Sequence, residues 1–144
     1  MGVDFRHDLA ADGVMEDRIE AQVERSQARI QSAPLIILLC MDMTGMVQYS
    51  DERRAAAERS MAVQSVAAAG TQLLLAAHAE GLGGVWVCSP LFTPETVRNT
   101  LKLPVEWEPQ AMFFIGYAAE SPSPREIKAV QEVSIFIRER DSRE

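Results

Sequence analysis

The stretch MAVQSVAAAG at 61–70 constrains the fold more than any other, because it sets small side chains along what reads as one long helix. Ser50 or Asp51 can cap that helix by accepting from amides of its first turn, and the helix then runs to about Glu80. Gly81-Leu82-Gly83-Gly84 ends it, with a glycine where left-handed backbone is favoured. Small side chains let a helix approach its neighbours closely. Two packings use that property: burial as the central helix of a domain, or contact with a second copy of the chain. One does not exclude the other.

Around this helix the apolar pattern changes period. Residues 14–32 put Val14, Ile19, Val23 and Ile30 on a loosely helical spacing. Glu16 and Asp17 suit the positive end of the helix dipole, and Arg25 and Arg29 suit the other end. Ala33-Pro34 stops the helix, since proline pushes the residue before it out of the helical region. Residues 35–41 (LIILLCM) then predict a short strand buried on both faces, followed by a loop over 42–51. A second strand is expected at 85–88. Thr93-Pro94-Glu95 opens a helix with a hydroxyl cap and a proline in the first turn, running to about Leu101 and closed by Leu103-Pro104. Residues 111–117 (AMFFIGY) form a third predicted strand, 120–124 a surface stretch, and 133–137 (VSIFI) a final strand. The charged tail from Arg138 is expected to fray. No repeat or linker divides the 144 residues, so one domain is expected.

Composition narrows the function classes. Hydrophobic residues are 47% and charged residues 24%, the balance of a globular protein. Lys and Arg number 14 against 21 Asp and Glu, a net charge of −7 with no basic segment, which argues against nonspecific nucleic-acid binding. Asp4, Arg6, Asp8 and Asp12 break any secretory core near the start. The apolar run 34–41 is far short of the roughly 20 residues a membrane helix needs. The expectation is a cytoplasmic protein with no membrane partner. Cys40 and Cys88 lie in strand-like segments and read as small buried hydrophobes, which leaves no disulfide framework, CxxC motif or cysteine-rich zinc site.

Several chemistries are excluded by what is missing. The chain has no GxSxG elbow, no HExxH and no phosphate loop ending in Gly-Lys-Ser/Thr. His7 and His78 are far apart in sequence without clustered acids, so no metal site is expected. Asp51-Glu52 reads as a cap rather than an acid–base pair. Gly81-Leu82-Gly83-Gly84 fails as a dinucleotide fingerprint, because the third glycine position is Trp86 and the order is helix-loop-strand. An enzyme of this sequence must therefore draw its chemistry from a bound cofactor. The best local candidate is 88–95, where a strand ends, crosses Ser89-Pro90-Leu91-Phe92 and enters the next helix. Free backbone N–H groups there could donate to an electron-rich ring edge or an anion, although an ordinary strand-to-helix connection has the same outline.

Residues 61–92 (MAVQSVAAAGTQLLLAAHAEGLGGVWVCSPLF), 93–122 (TPETVRNTLKLPVEWEPQAMFFIGYAAESP) and 124–133 (PREIKAVQEV) together resemble the FMN-dependent nitroreductase family. The opening MGVDFRHDL, and Ala33-Pro34 before an apolar strand, look closest to the branch containing the flavin domain of deazaflavin-coenzyme glutamyl ligases. The resemblance implies an α+β, nitroreductase-like three-layer fold, a mostly antiparallel sheet flanked by helices. It covers 1–144 as a domain incomplete, or truncated, at its N-terminus, because the family's arginine-rich opening segment has no counterpart here and Met1 falls where the family is already inside its fold. It further implies FMN as cofactor, a homodimer with flavin sites at the interface, and the C-terminal strand reaching across to the partner. Electrons would pass from NADH or NADPH to a nitroaromatic, quinone, flavin or deazaflavin-type acceptor.

By the same resemblance Ser89, Pro90, Leu91 and Phe92 lie against the redox edge of the flavin, with backbone donors stabilising its reduced form. Arg125 matches the basic residue that meets the FMN phosphate. The family's second basic residue falls at Ile127, with Lys128 beside it. Phe5 and Arg6 are the candidates for the acceptor cavity. The competing expectation is a flavin-less, truncated remnant serving as a dimerisation or partner-binding module. A third is a deazaflavin-handling reductase or ligase accessory domain.

Overall fold

A computed structural model of the chain describes residues 2–120 and 122–137. Its elements are α1 (Gly2–Ala11), α2 (Glu16–Ser32), β1 (Leu35–Asp42), α3 (Glu52–Ala79), β2 (Gly83–Val87), a 3-10 turn (Ser89–Leu91), α4 (Pro94–Leu101), β3 (Trp107–Gly116) and α5 (Val130–Val133). The three strands form one antiparallel sheet in the order β1-β3-β2. The fold is α+β, with helices packed against a small antiparallel sheet.

The last strand to appear in sequence takes the middle of the sheet. β3 starts earlier than 111, at Trp107, and its Pro109 pairs with Cys40 at a register shift between Leu39 and Cys40. A proline has no amide for the ladder, and an irregularity is where a sheet tolerates one. Beyond it the residues alternate. Ala111, Phe113 and Ile115 form the core cluster with Leu73, Leu74, Leu82 and Trp86, while Met112 and Phe114 are buried on the opposite face.

Buried on both faces is therefore the condition of β3, not of β1. β1 is an edge strand, paired only with β3 among the described residues, and its Leu35 and Ile36 are exposed, contrary to the sequence expectation, because no element covers both faces at its start. The predicted strand at 133–137 is also corrected. Val133 closes the single turn of α5, and 134–137 pair with no strand within the described residues, leaving Ile135 91% and Ile137 93% exposed. Residues 138–144, expected to fray, lie outside the described residues.

α3 begins as expected. Asp51 accepts from the Arg54 amide at 3.0 Å, and the Arg54 bonds hold its carboxyl below the usual range. At the other end Gly81 has φ +76°, with its amide donating to His78 O at 3.0 Å and Leu82 N–H to Ala77 O at 2.9 Å. The helix packs on β1 and β2. Contact is closest at Gly70, where an added Cβ would lie 2.8 Å from the Trp86 ring and 2.9 Å from Phe113. Yet the reading of α3 as a central buried helix is corrected. Only Glu58, Ala62 and Gly70 are buried, and Met61, Val63 and Leu75 face outward. By length and composition α3, rather than 34–41, is the segment apolar enough to cross a membrane, which by itself is weak evidence that it does.

Two ties set α1 and α3 in place. Arg6 bridges from α1 to Glu16 (2.8 Å) and Glu20 (3.3 Å) of α2. Arg59 of α3 forks onto both carboxylate oxygens of Glu108 in β3.

Candidate active site

A cleft of about 720 Å³ opens between α1, α2 and the connection from β2 to α4. That volume lies within the range usual for small-molecule sites. α2 earns its place through Ile19 and Val23, buried at helical spacing as the sequence suggested. Val23 also shows toward the cleft, beside Phe5 of α1.

The third wall is the candidate segment itself. Cys88, Ser89, Phe92 and Thr93 all line the cleft, and the Phe92 side chain is 79% exposed. Pro90 is fully buried and seats the turn against β3, whereas Leu91 is half-exposed and does not line the cavity. The amides expected to be free are spent inside the turn. Leu91 N–H donates to Cys88 O (3.0 Å) and Phe92 N–H to Ser89 O (3.1 Å), because the chain closes here into a 3-10 turn.

Polar capacity survives in the side chains instead. Ser89 Oγ and Thr93 Oγ1 are buried and have no hydrogen-bond partner. Thr93 was expected to cap α4 with its hydroxyl, but its backbone (φ −140°, ψ 53°) does not present it, and the bond is absent. Most buried polar groups are paired, so two orphans in one turn beside a cavity stand out as capacity for a ligand.

Both cysteines depart from the buried reading. Cys88 is exposed just past the end of β2 and accepts from the Trp86 indole N–H at 3.0 Å. Cys40 is half-buried in β1, and desolvation raises its pKa. Of the remaining predicted residues, Phe5 lines the cleft. Arg6 does not, since its guanidinium is engaged by Glu16 and Glu20. Arg125 and Lys128 are exposed on a segment without regular structure and reach no wall of the cavity. Sequence reasoning missed Arg25 and Arg29 as site residues. They read as dipole partners at the end of α2, and only the packing of α1 beside α2 turns them toward a cavity.

A family model described as the nitroreductase family matches residues 5–117, spanning all three strands. This chain belongs to the nitroreductase family. A curated protein of Methanothermobacter thermautotrophicus, described as a putative NADH dehydrogenase/NAD(P)H nitroreductase, is 32% identical over 102 residues, which is 69% of this chain and 48% of that protein. The chain thus spans about half the length of that relative. Among solved structures, a putative NADH dehydrogenase/NAD(P)H nitroreductase from Parabacteroides distasonis superposes with a TM-score of 0.56 at 26% identity, covering 90% of this chain and 66% of that one. An FMN-dependent nitroreductase from Clostridium difficile shares the fold at a TM-score of 0.53 and 18% identity, over 75% of this chain and 59% of that one.

For a flavin, the cleft wall and the phosphate end give different answers. The orphaned Ser89 and Thr93 hydroxyls and the exposed Phe92 ring fit a planar heterocycle pressed on the turn. The basic pair matched to the phosphate is not assembled at the cavity within the described residues.

Proposed function

We propose that this chain is the catalytic domain of an FMN-dependent NAD(P)H oxidoreductase that reduces a nitroaromatic, quinone, flavin or deazaflavin-type acceptor. The observation behind this reading is the cavity walled by the Ser89–Thr93 turn, with two unpartnered hydroxyls in a member of the nitroreductase family. FMN, when bound, supplies the two-electron carrier between the nicotinamide and the acceptor. The chain's own residues bind and orient. Phe92 offers an aromatic face, Ser89 and Thr93 offer hydroxyl donors, and Phe5 with Val23 excludes water from the opposite wall. Arg125, with Lys128, meets the phosphate once the C-terminal segment is drawn in by a second copy.

That second copy belongs to the proposal. α3 leaves Met61, Val63 and Leu75 outward, and 127–137 leave Ile127, Ile135, Phe136 and Ile137 outward, more apolar surface than a lone chain keeps without a use. A cytoplasmic homodimer covers both. The test is direct. Purified protein should sediment as a dimer, take up FMN with the flavin absorbance bands, and oxidise NADH or NADPH when given a quinone or nitro acceptor. Colourless protein that takes up no added FMN overturns the reading.

A second reading rests on the amides of Leu91 and Phe92 being closed within their own turn. It makes the chain a flavin-less dimerising or partner-binding module, and full FMN occupancy with turnover would eliminate it. If the acceptor is a deazaflavin, a deazaflavin should compete with quinone for turnover; if it binds nowhere, that branch of the proposal fails.

A further inference from the structure

We infer that Trp86 is a positioning residue for the turn that walls the cleft, and that it acts through the Cys88 sulfur. The inference rests on the reading of Ser89–Thr93 as the flavin wall, and it names what holds that wall in place.

Strand β2 is held by the ladder as far as Val87, whose partner is Met112 of β3. Cys88 then leaves the strand, with φ −92° and ψ 9°, and opens the 3-10 turn. Within the turn the Leu91 amide donates to Cys88 O at 3.0 Å, that of Phe92 to Ser89 O at 3.1 Å and that of Thr93 to Pro90 O at 3.4 Å. Internal bonds of this kind fix the shape of a turn but not where it stands. Position needs contacts that leave the segment. Pro90, buried against β3, is one of them. Another lies at the entrance, where Trp86 Nε1–H donates to Cys88 Sγ at 3.0 Å.

The donor of that bond is fixed by the core. The Trp86 ring meets Phe113 edge to face, with centroids 4.9 Å apart and 70° between planes, and Phe113 is fully buried in the core cluster. The same ring lies so close to Gly70 of α3 that an added Cβ would come within 2.8 Å of two of its atoms. A ring packed against both cannot turn without displacing one of them, so the core sets the direction of its N–H. Trp86 itself lines no part of the cleft, whereas Cys88 does. The bond is therefore where the packing of α3 on the sheet reaches the cleft wall. Sulfur is a weak acceptor, so its loss loosens the wall rather than collapsing it. A flavin pressed on a loosened turn has to order it on binding, which lowers affinity.

Amide hydrogen exchange without FMN, followed by FMN titration, tests this. Cys88→Ala deletes the acceptor at an exposed position and should leave the urea midpoint unchanged. The Leu91, Phe92 and Thr93 amides should then exchange about fivefold faster, and the FMN dissociation constant should rise by a similar factor. Cys88→Ser keeps an acceptor and should recover part of both effects. Trp86→Phe keeps a ring without the donor and should reproduce them. Adding Cys88→Ala to Trp86→Phe should bring no further change, because one bond is lost only once. Ile37→Val, which trims the core cluster from β1, should lower the urea midpoint and leave FMN affinity unaltered, separating position from stability. Unchanged exchange at 91–93 in Cys88→Ala overturns the inference. So do additive losses in the double variant, which would mean that Cys88 touches the flavin directly and Trp86 only packs. If the parent binds no FMN, the oxidoreductase reading fails and the exchange rates decide this inference without it. If the parent and Trp86→Phe bind FMN equally well, this inference fails and that reading stands.

Discussion

Gly70→Ala offers a sharp test of how the long helix sits on the sheet, because two well-measured effects oppose each other there. Alanine is the better helix former by about 1 kcal/mol, so on an open helix face the change would stabilise. At this position the new Cβ would lie 2.8 Å from two atoms of the Trp86 ring and 2.9 Å from Phe113. Neither ring is the loose end of a flexible chain. They pack edge to face with centroids 4.9 Å apart, and Phe113 is 0% exposed. Forcing a methyl into such a site costs about 1–3 kcal/mol. Because all three contacts lie in the forbidden range, the upper part of that span applies. The net expectation is a loss of about 1–2 kcal/mol, a fall in Tm of about 3–8 °C. Urea unfolding followed by tryptophan fluorescence reads both the midpoint and the displacement of Trp86. The same shift should disturb the Trp86–Cys88 contact at the cleft edge and change the reactivity of the thiol. A Gly70→Ala protein that is more stable than the parent would refute the close approach of α3 to the sheet.

Three further outcomes follow from the same geometry. Phe113→Ala removes the most deeply buried ring of the core cluster and should cost about 3–5 kcal/mol in urea unfolding. Glu108→Gln breaks the fork from Arg59; with both side chains partly exposed, the cost at neutral pH should stay below about 1 kcal/mol. The Arg59 hydrogen bonds lower the Glu108 pKa from 4.5, so this stability is present above 4.5 and is lost as pH falls through the lower folded value; unfolding curves of Glu108→Gln and parent should converge there. Cys88 should react with a maleimide well before Cys40, whose thiol is half-buried with a raised pKa, and FMN should protect Cys88; equal labelling rates would contradict the exposed position of Cys88.

Much of the fold was legible where local signals are strong. Asp51 and Gly81 bracket α3 as a cap and a left-handed stop should, and Ala33-Pro34 ends α2 where proline requires. α1 escaped notice because its residues show little helical amphipathicity. Phe5 was legible as a candidate only through family resemblance, whereas the Ser89–Phe92 connection was already the best local candidate from its residues, with a plain strand-to-helix connection as the alternative.

What the sequence determined by itself is local: the cap and stop of α3, the proline end of α2, the short strands after Pro34 and Gly84, and the likeness to a known lineage. Only the tertiary structure decided that the strand at 107–116 occupies the centre of the sheet and that α3 stays largely uncovered. It also decided that the turn consumes its own amides, and that Arg25 and Arg29 line the same cleft as Phe5 and the start of the β2–α4 connection. The division has a physical cause. Caps, stops and periodicity act over a few residues and are written in their order, whereas burial, pairing and the facing of charges depend on which distant segments meet.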